Sequence, residues 1–145
     1  MTIWFDMDGT LNKFYDVPNW LPMLQASDPT PYIIAKPNVN MSLLARYLHQ
    51  LQNMGYEIGV ISWLSKTGTA NYNEKVIASK YAWLRKHLPS VKWDAIHIIP
   101  YGVPKQEYRL SSNDILFDDE NKNRDNWGAN AYPETAIFDI IHSLL

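Results

Sequence analysis

The chain has 145 residues, of which 46% are hydrophobic and 19% are charged, a composition typical of one globular domain large enough to bury a core. A formal net charge of −2 and the lack of a basic tract give no strong case for nucleic-acid binding. The chain contains no cysteine, which excludes disulfide bonds and thiolate metal sites, so a metal would need oxygen or histidine ligands.

No segment of the sequence predicts export or membrane insertion. Asp6 and Asp8 interrupt the apolar stretch at the start of the chain, which argues against a signal peptide. No apolar run approaches the roughly 18 residues that cross a bilayer. We therefore expect a soluble cytoplasmic protein with no membrane contact, and the sequence carries no signal for an oligomeric state.

The pattern of apolar residues predicts strands and helices that alternate along the chain. After a first strand at 2–5, the segment 12–37, called the proline-rich segment below, contains five of the nine prolines and several aromatic residues. Proline at this density prevents a long helix, so we expect an ordered, aromatic-rich loop with at most a short helical turn. The remaining elements are predicted in the order helix 40–54, strand 56–62, helix 73–88, strand 95–99, strand 114–117, strand 129–132 and a C-terminal helix from 135.

This alternation predicts an α/β fold, a three-layer α/β/α Rossmann-like sandwich whose mainly parallel sheet has about five strands. A single domain is expected to span residues 1–145. The carboxyl ends of its parallel strands would meet at one edge of the sheet, where ligands bind in such folds.

Two aspartates follow the first predicted strand. The apolar run ends at Phe5, and Asp6 and Asp8 precede Gly9. Two carboxylates at a sheet edge repel each other, so a divalent cation bound between them would stabilise them. A phosphate group is the natural further ligand of such a cation. An ordinary Asp-Gly turn after an N-terminal strand is the alternative explanation.

A second pair of aspartates, Asp118 and Asp119, follows the fourth predicted strand in the same way. Each pair alone would fit a solvated loop. Four carboxylates at one sheet edge would be unfavourable without a cation. Oxygen ligands and the absence of cysteine favour Mg²⁺ over zinc.

A serine and a lysine would complete a phosphate site at this edge. Ser62 ends the second predicted strand, and Lys105 lies in a turn before the fourth, where a cation could contact a phosphate. A serine that caps its own turn and a solvated lysine are the simpler explanations. Other lysines compete with Lys105, but Lys80 and Lys86 are expected on a solvated helix; the competitors are Lys66, Lys80, Lys86 and Lys92.

These elements resemble, in order and spacing, the four motifs of the haloacid dehalogenase (HAD) superfamily of phosphohydrolases. The resemblance covers almost the whole chain except the proline-rich segment. The residues that match the motifs are Asp6, Asp8 and Thr10 in the first, Ser62 in the second, Lys105 in the third, and Asp118 and Asp119 in the fourth.

The resemblance implies a role for each matched residue. Asp6 would be the nucleophile that forms an aspartyl-phosphate and would also bind Mg²⁺. Asp8 would exchange protons with the leaving group and water, and its backbone carbonyl would be a metal ligand. Asp119 would bind the metal directly and Asp118 would lie behind it, or the reverse. Charge on the transferring oxygens would be stabilised by Thr10, Ser62 and Lys105.

The motif spacing leaves little room for the cap domain that HAD members usually carry, so the proline-rich segment would stand in its place. An open site admits proteins or nucleic-acid ends, whereas aromatic side chains suit small planar substrates. The short body, the paired acidic residues and the aromatic loop look similar to the deoxyribonucleotidase-like branch. We therefore expect a Mg²⁺-dependent phosphomonoester hydrolase acting on a nucleotide or another small phosphorylated metabolite.

Two alternatives remain. The first is a phosphatase that acts on a phosphoprotein or a nucleic-acid end. The second is a non-enzymatic, receiver-like phosphoacceptor domain, which also combines clustered aspartates, a hydroxyl, a lysine and Mg²⁺. A receiver carries its phosphoacceptor after the third strand, and the predicted third strand at 95–99 ends without an aspartate.

Overall fold

A five-stranded sheet forms the centre of the protein. In this computed structural model, which describes residues 1–145, the strands lie in the order β3-β2-β1-β4-β5, and all neighbours are parallel. They are β1 (Thr2–Phe5), β2 (Glu57–Trp63), β3 (Ala95–Ile99), β4 (Ile115–Phe117) and β5 (Ala131–Tyr132). This confirms the predicted α/β fold with five parallel strands.

Six α-helices surround the sheet. They are α1 (Trp20–Gln25), α2 (Thr30–Ile34), α3 (Met41–Asn53), α4 (Ala70–His87), α5 (Asn121–Trp127) and α6 (Ile137–Leu144). The side chains of Asn40 and Thr69 cap α3 and α4 by accepting hydrogen bonds from backbone N–H groups. The Thr69 cap explains why α4 begins three residues before the predicted position. None of the helices combines the length and the apolar character that crossing a membrane requires.

Alternate residues of β1 pack on opposite faces of the sheet. Ile3 and Phe5 belong to the main core, which α3, α4 and α6 cover. Trp4 packs on the other face in a smaller cluster that contains Trp127 of α5. Because both faces are buried, every residue of β1 is apolar or fully packed.

The proline-rich segment contains more helix than the predicted single turn. It forms a 3₁₀ helix at Phe14–Asp16 and the short helices α1 and α2. Pro22 is the third residue of α1 and Pro31 the second residue of α2. Proline is tolerated in the first turn of a helix because the N–H that it lacks would have no intrahelical partner there. The prolines therefore begin these helices rather than prevent them.

The strand order defines where a ligand would bind. The chain runs outward from β1 to β2 and β3, and then returns to the other side of β1 to form β4 and β5. In open α/β sheets, ligands bind at the carboxyl ends of the strands where the order reverses, which is here between β1 and β4. Receiver domains have the order 2-1-3-4-5, so this sheet does not have receiver topology.

Candidate active site at the carboxyl ends of β1 and β4

A buried lysine joins the two acidic loops. Lys105 begins a 3₁₀ helix at Lys105–Tyr108, and its Nζ donates to Asp6 Oδ1 at 2.8 Å and to Asp118 Oδ2 at 2.7 Å. Burial alone would lower the pKa of Lys105, but the charges of Asp6 and Asp118 outweigh it and raise that pKa. The lysine therefore stays charged. Lys105 thus reaches the sheet edge, and its role at a phosphate site stays a prediction.

The turn after β1 brings Thr10 and Asp119 together. Thr10 Oγ1 lies 3.1 Å from Asp6 Oδ2 and 3.1 Å from Asp119 Oδ1, and it accepts a hydrogen bond from the backbone N–H of Asp119. Gly9, which precedes Thr10 in this turn, has φ +86°, and a Cβ at this position would collide with the Asp119 carboxylate. The glycine thus provides both the left-handed turn and the close approach.

Three carboxylates converge at a position that fits a cation. Asp6, Asp118 and Asp119 each place an oxygen within 4.8 Å of the others. Both oxygens of Asp118 accept hydrogen bonds, from Lys105 and Asn123 on one side and from a backbone N–H on the other. Asp119 Oδ2 accepts none, so it is the oxygen free to bind a metal. A donor set of oxygen atoms alone fits Mg²⁺.

Without a cation, burial and neighbouring negative charge make Asp118 and Asp119 hard to ionise. Burial and the charge of Asp6 raise the pKa of Asp119 to about 8. The same causes raise the pKa of Asp118 to about 6 against the opposing effect of Lys105. Burial is also the largest cause of the raised pKa of Asp8. A bound cation would favour the charged forms and relieve this repulsion.

These shifts predict how the stability of the metal-free protein depends on pH. Because the folded pKa values of Asp118 and Asp119 exceed the ordinary value of 3.8, the folded state binds more protons than the unfolded state between them. The resulting stability is fully present below about pH 4 and is lost as the pH rises through 6 and then 8. We expect Tm in EDTA to fall by several degrees between pH 5 and pH 9.

Thermal melting with EDTA and with Mg²⁺ tests this expectation. Mg²⁺ should raise Tm most at high pH, where the carboxylates are charged. The Asp119→Asn variant should lose most of the pH dependence above pH 6. A metal-free Tm that stays constant across this range would contradict the proposed cation site.

Asp8 lies on the other side of Asp6 and contacts a second buried lysine. Lys80 Nζ donates to Asp8 Oδ2 at 3.0 Å, to Ser62 Oγ at 2.6 Å and to the carbonyl of Trp63 at 2.7 Å. The prediction that Lys80 lies on a solvated helix face was wrong, because its side chain is 1% exposed. Lys86, which shared that prediction, is exposed.

The spacing of α4 contained the signal for Lys80. Lys80 follows Val76 by four residues and precedes Leu84 by four, and both of these residues are buried. Positions four residues apart lie on the same face of a helix. Lys80 therefore belongs to the buried face, and its charge requires partners that only the folded chain provides.

The site opens into a cavity of about 280 Å³. Asp6, Asp8, Lys105 and Asp118 form its polar part. Ser62 and Thr10 are fully buried and do not line the cavity. The aromatic residues that line it are Phe14, Tyr15, Trp20 and Tyr32 from the proline-rich segment, Trp63 at the end of β2, and Tyr101 after β3.

Two asparagines support the aspartates and were not predicted as site residues. Asn12 Oδ1 accepts from the backbone N–H groups of Gly9 and Phe14, which fixes the turn after β1. Asn123 of α5 donates to Asp118 Oδ2 at 3.2 Å. Both residues are buried. A polar residue next to a motif carries no sequence signal for such a role, since loops are rich in asparagine.

Solved phosphatases have a similar fold. The D,D-heptose 1,7-bisphosphate phosphatase from Burkholderia thailandensis superposes with a TM-score of 0.55 at 12% identity, covering 89% of this chain and 72% of that one. The chain has the fold of these phosphatases. The B. bronchiseptica enzyme, solved with magnesium and phosphate, gives a TM-score of 0.54 at 12% identity and covers 91% and 78% of the two chains. The sequence itself matches no protein-family model and no curated protein.

At this identity the likeness establishes the fold alone. This likeness agrees with the fold that the resemblance to HAD phosphatases implies. The deoxyribonucleotidase-like branch, the missing cap and the roles of individual residues stay predictions.

Proposed function

We propose that the protein is a Mg²⁺-dependent phosphomonoester hydrolase that works through an aspartyl-phosphate on Asp6. The observation that carries this proposal is the arrangement of Asp6, Asp8 and Lys105 around one cavity, with Asp119 beside them. Asp6 and Asp119, with the backbone carbonyl of Asp8, would hold Mg²⁺, which neutralises the carboxylates and the phosphate when it is bound. The phosphatase neighbours agree with this function.

The first chemical step forms the phosphoenzyme. A carboxylate oxygen of Asp6 attacks phosphorus and the ester P–O bond breaks, while Asp8 gives its proton to the leaving oxygen. The alcohol then departs. The raised pKa of Asp8, which burial causes, favours the protonated form that this step requires.

The second step reverses the proton transfer. Water attacks phosphorus, Asp8 takes a proton from that water, and the bond between phosphorus and Asp6 breaks to release inorganic phosphate. Lys105 and Thr10 contact the Asp6 carboxylate and would stabilise charge on the transferring phosphoryl group.

The cavity favours a small substrate with a flat apolar ring, such as a nucleotide. Aromatic side chains in the cavity wall, including Tyr15 and Tyr101, provide surfaces on which a ring can stack. The lining contains only two cationic residues, and Lys105 is already paired with two carboxylates. A second phosphate group would find only Lys66 and would face Glu120. These charges disfavour a bisphosphate substrate.

Phosphate release from a panel of phosphoesters with Mg²⁺ tests the proposal. The panel contains nucleoside 5′- and 3′-monophosphates, sugar phosphates, a sugar bisphosphate, phosphopeptides and phosphorylated nucleic-acid ends. We expect the highest kcat/KM for nucleoside monophosphates, about 10-fold or more above sugar phosphates, because stacking is worth about 1–3 kcal/mol per base.

The Tyr101→Leu variant is the control for stacking. Tyr101 is 48% exposed, so its replacement should leave the fold intact, raise KM for nucleotides and leave sugar phosphates unaffected. Turnover confined to phosphopeptides or nucleic-acid ends would support the first alternative instead. Stable phosphorylation by small phosphodonors without turnover would support a phosphoacceptor domain and contradict the proposal.

A further inference from the structure

Lys80 is a buried cation to which the proposed mechanism assigns no role. It lies within α4, and its side chain is 1% exposed. An ammonium group has three N–H donors, and Lys80 Nζ has three acceptors within 3.0 Å: Asp8 Oδ2, Ser62 Oγ and the carbonyl of Trp63. All three donors are therefore used, and they fix the position of the ammonium group.

We propose that Lys80 is a positioning residue that holds the Asp8 carboxylate by Oδ2, so that Oδ1 is the atom that exchanges protons with the substrate. This inference rests on the proposed function. The only hydrogen bond of Asp8 Oδ1 is a long one, 3.4 Å from Asn12 Nδ2. Asp8 lines the cavity, and Oδ1 is the oxygen of its carboxylate that the protein leaves with only a weak partner.

The two buried lysines of the site, Lys105 and Lys80, contact different groups and therefore have different roles. Lys105 lines the cavity and contacts Asp6 and Asp118, so it acts on the nucleophile and the metal side. Lys80 does not line the cavity and contacts neither of them. Its donors are already satisfied, so it has none left for a phosphate oxygen. It can affect the reaction only through the groups that it holds.

Ser62 and Tyr32 keep Lys80 in place. Because an ammonium has no lone pair, Ser62 Oγ must accept the 2.6 Å hydrogen bond from Lys80. The ring of Tyr32 lies 5.2 Å from Lys80 Nζ, close enough for a cation–π contact. Ser62, the second-last residue of β2, thus supports Lys80, and Tyr32 of α2 in the proline-rich segment covers it.

This role predicts a selective defect. The proton on Asp8 Oδ1 passes to the leaving oxygen as the ester P–O bond breaks. A weakly basic leaving group departs without that proton, whereas a strongly basic one depends on it. Misplacing Asp8 should therefore slow esters with basic leaving groups far more than activated esters.

The experiment compares phenyl phosphate with 4-nitrophenyl phosphate, two esters of similar shape whose leaving groups differ in basicity. We expect Lys80→Met to lower kcat/KM for phenyl phosphate about 30-fold more than for 4-nitrophenyl phosphate. This is less than the full contribution of about 10²–10⁴-fold from general acid catalysis, because Asp8 is misplaced but still present. The ratio of kcat/KM for phenyl phosphate to kcat/KM for 4-nitrophenyl phosphate does not depend on the fraction of protein that folds. Lys80→Gln, which keeps a donor, should show the same selectivity to a smaller degree.

Three further variants complete the test. Lys105→Met, the same change at the other buried lysine, should lower both substrates by similar factors and leave the ratio unchanged. Asp8→Asn should lower the ratio as Lys80→Met does. Adding Lys80→Met to Asp8→Asn should change the ratio by less than about 2-fold, because both substitutions act through the Asp8 carboxylate. Lys86→Met, at an exposed position of α4, should change neither substrate.

The outcomes distinguish the inference from the proposed function. A wild-type protein that hydrolyses neither ester and no member of the phosphoester panel would overturn both. Wild-type activity with an equal loss for both esters in Lys80→Met, or with no loss at all, would overturn the positioning role alone. A further fall in the ratio when Lys80→Met is added to Asp8→Asn would also overturn it.

Discussion

The Asp6→Asn variant is expected to lose phosphate release by about 10⁴-fold or more in kcat, the scale seen when a nucleophile is removed from an enzyme. Asparagine has nearly the same shape and can still accept a hydrogen bond from Lys105. Its amide cannot form the acyl-phosphate bond. The variant should therefore fold and bind substrate while it fails to react.

Rapid acid quench of the reaction measures this loss at the first chemical step, the formation of the phosphoenzyme. The wild-type protein should form an acid-stable phosphoenzyme that hydroxylamine cleaves, as expected of an acyl phosphate, and Asp6→Asn should form none. Asp16→Asn is the matched control because Asp16 is exposed, and it should behave as wild type. Phosphoenzyme or turnover at wild-type levels in Asp6→Asn would disprove the mechanism.

Removal of divalent cations is expected to have a comparable effect, on the order of 10³-fold or more, since the carboxylate cluster would then repel the dianionic phosphate. Mg²⁺ should restore activity after EDTA treatment. Ca²⁺ should restore little, because it prefers longer bonds and more ligands than Mg²⁺. Phosphate release in metal-free buffer, followed by titration of each ion, measures both expectations.

The paired aspartates after β4 provide the matched variants for this experiment. Asp119→Asn should raise the Mg²⁺ concentration needed for half activity about 10-fold or more, because Asp119 Oδ2 is the unbonded oxygen. Asp118→Asn should instead lower Tm, since Asp118 is fully buried and holds Lys105 and Asn123. Full activity in EDTA, or the opposite pattern in the two variants, would contradict the assignment.

The strands and the main helices were predictable because their signals are local. β1 and β3 have the predicted bounds, since a short apolar run between polar turns specifies a buried strand. Asn40 and Thr69 cap their helices through backbone groups within three residues. The proline-rich segment was predicted less well, because the effect of a proline depends on which turn of a helix it occupies.

The sequence by itself determined that two acidic pairs follow two strands and that a serine and a lysine stand between them. Only the tertiary structure decided what each residue contacts. Lys105 meets Asp6 across 99 positions of the chain, and Lys80 meets Asp8 across 72. Local patterns carry no information at these separations. A lysine can be buried only where distant carboxylates and hydroxyls compensate its charge, and the folded sheet edge is what brings those groups together.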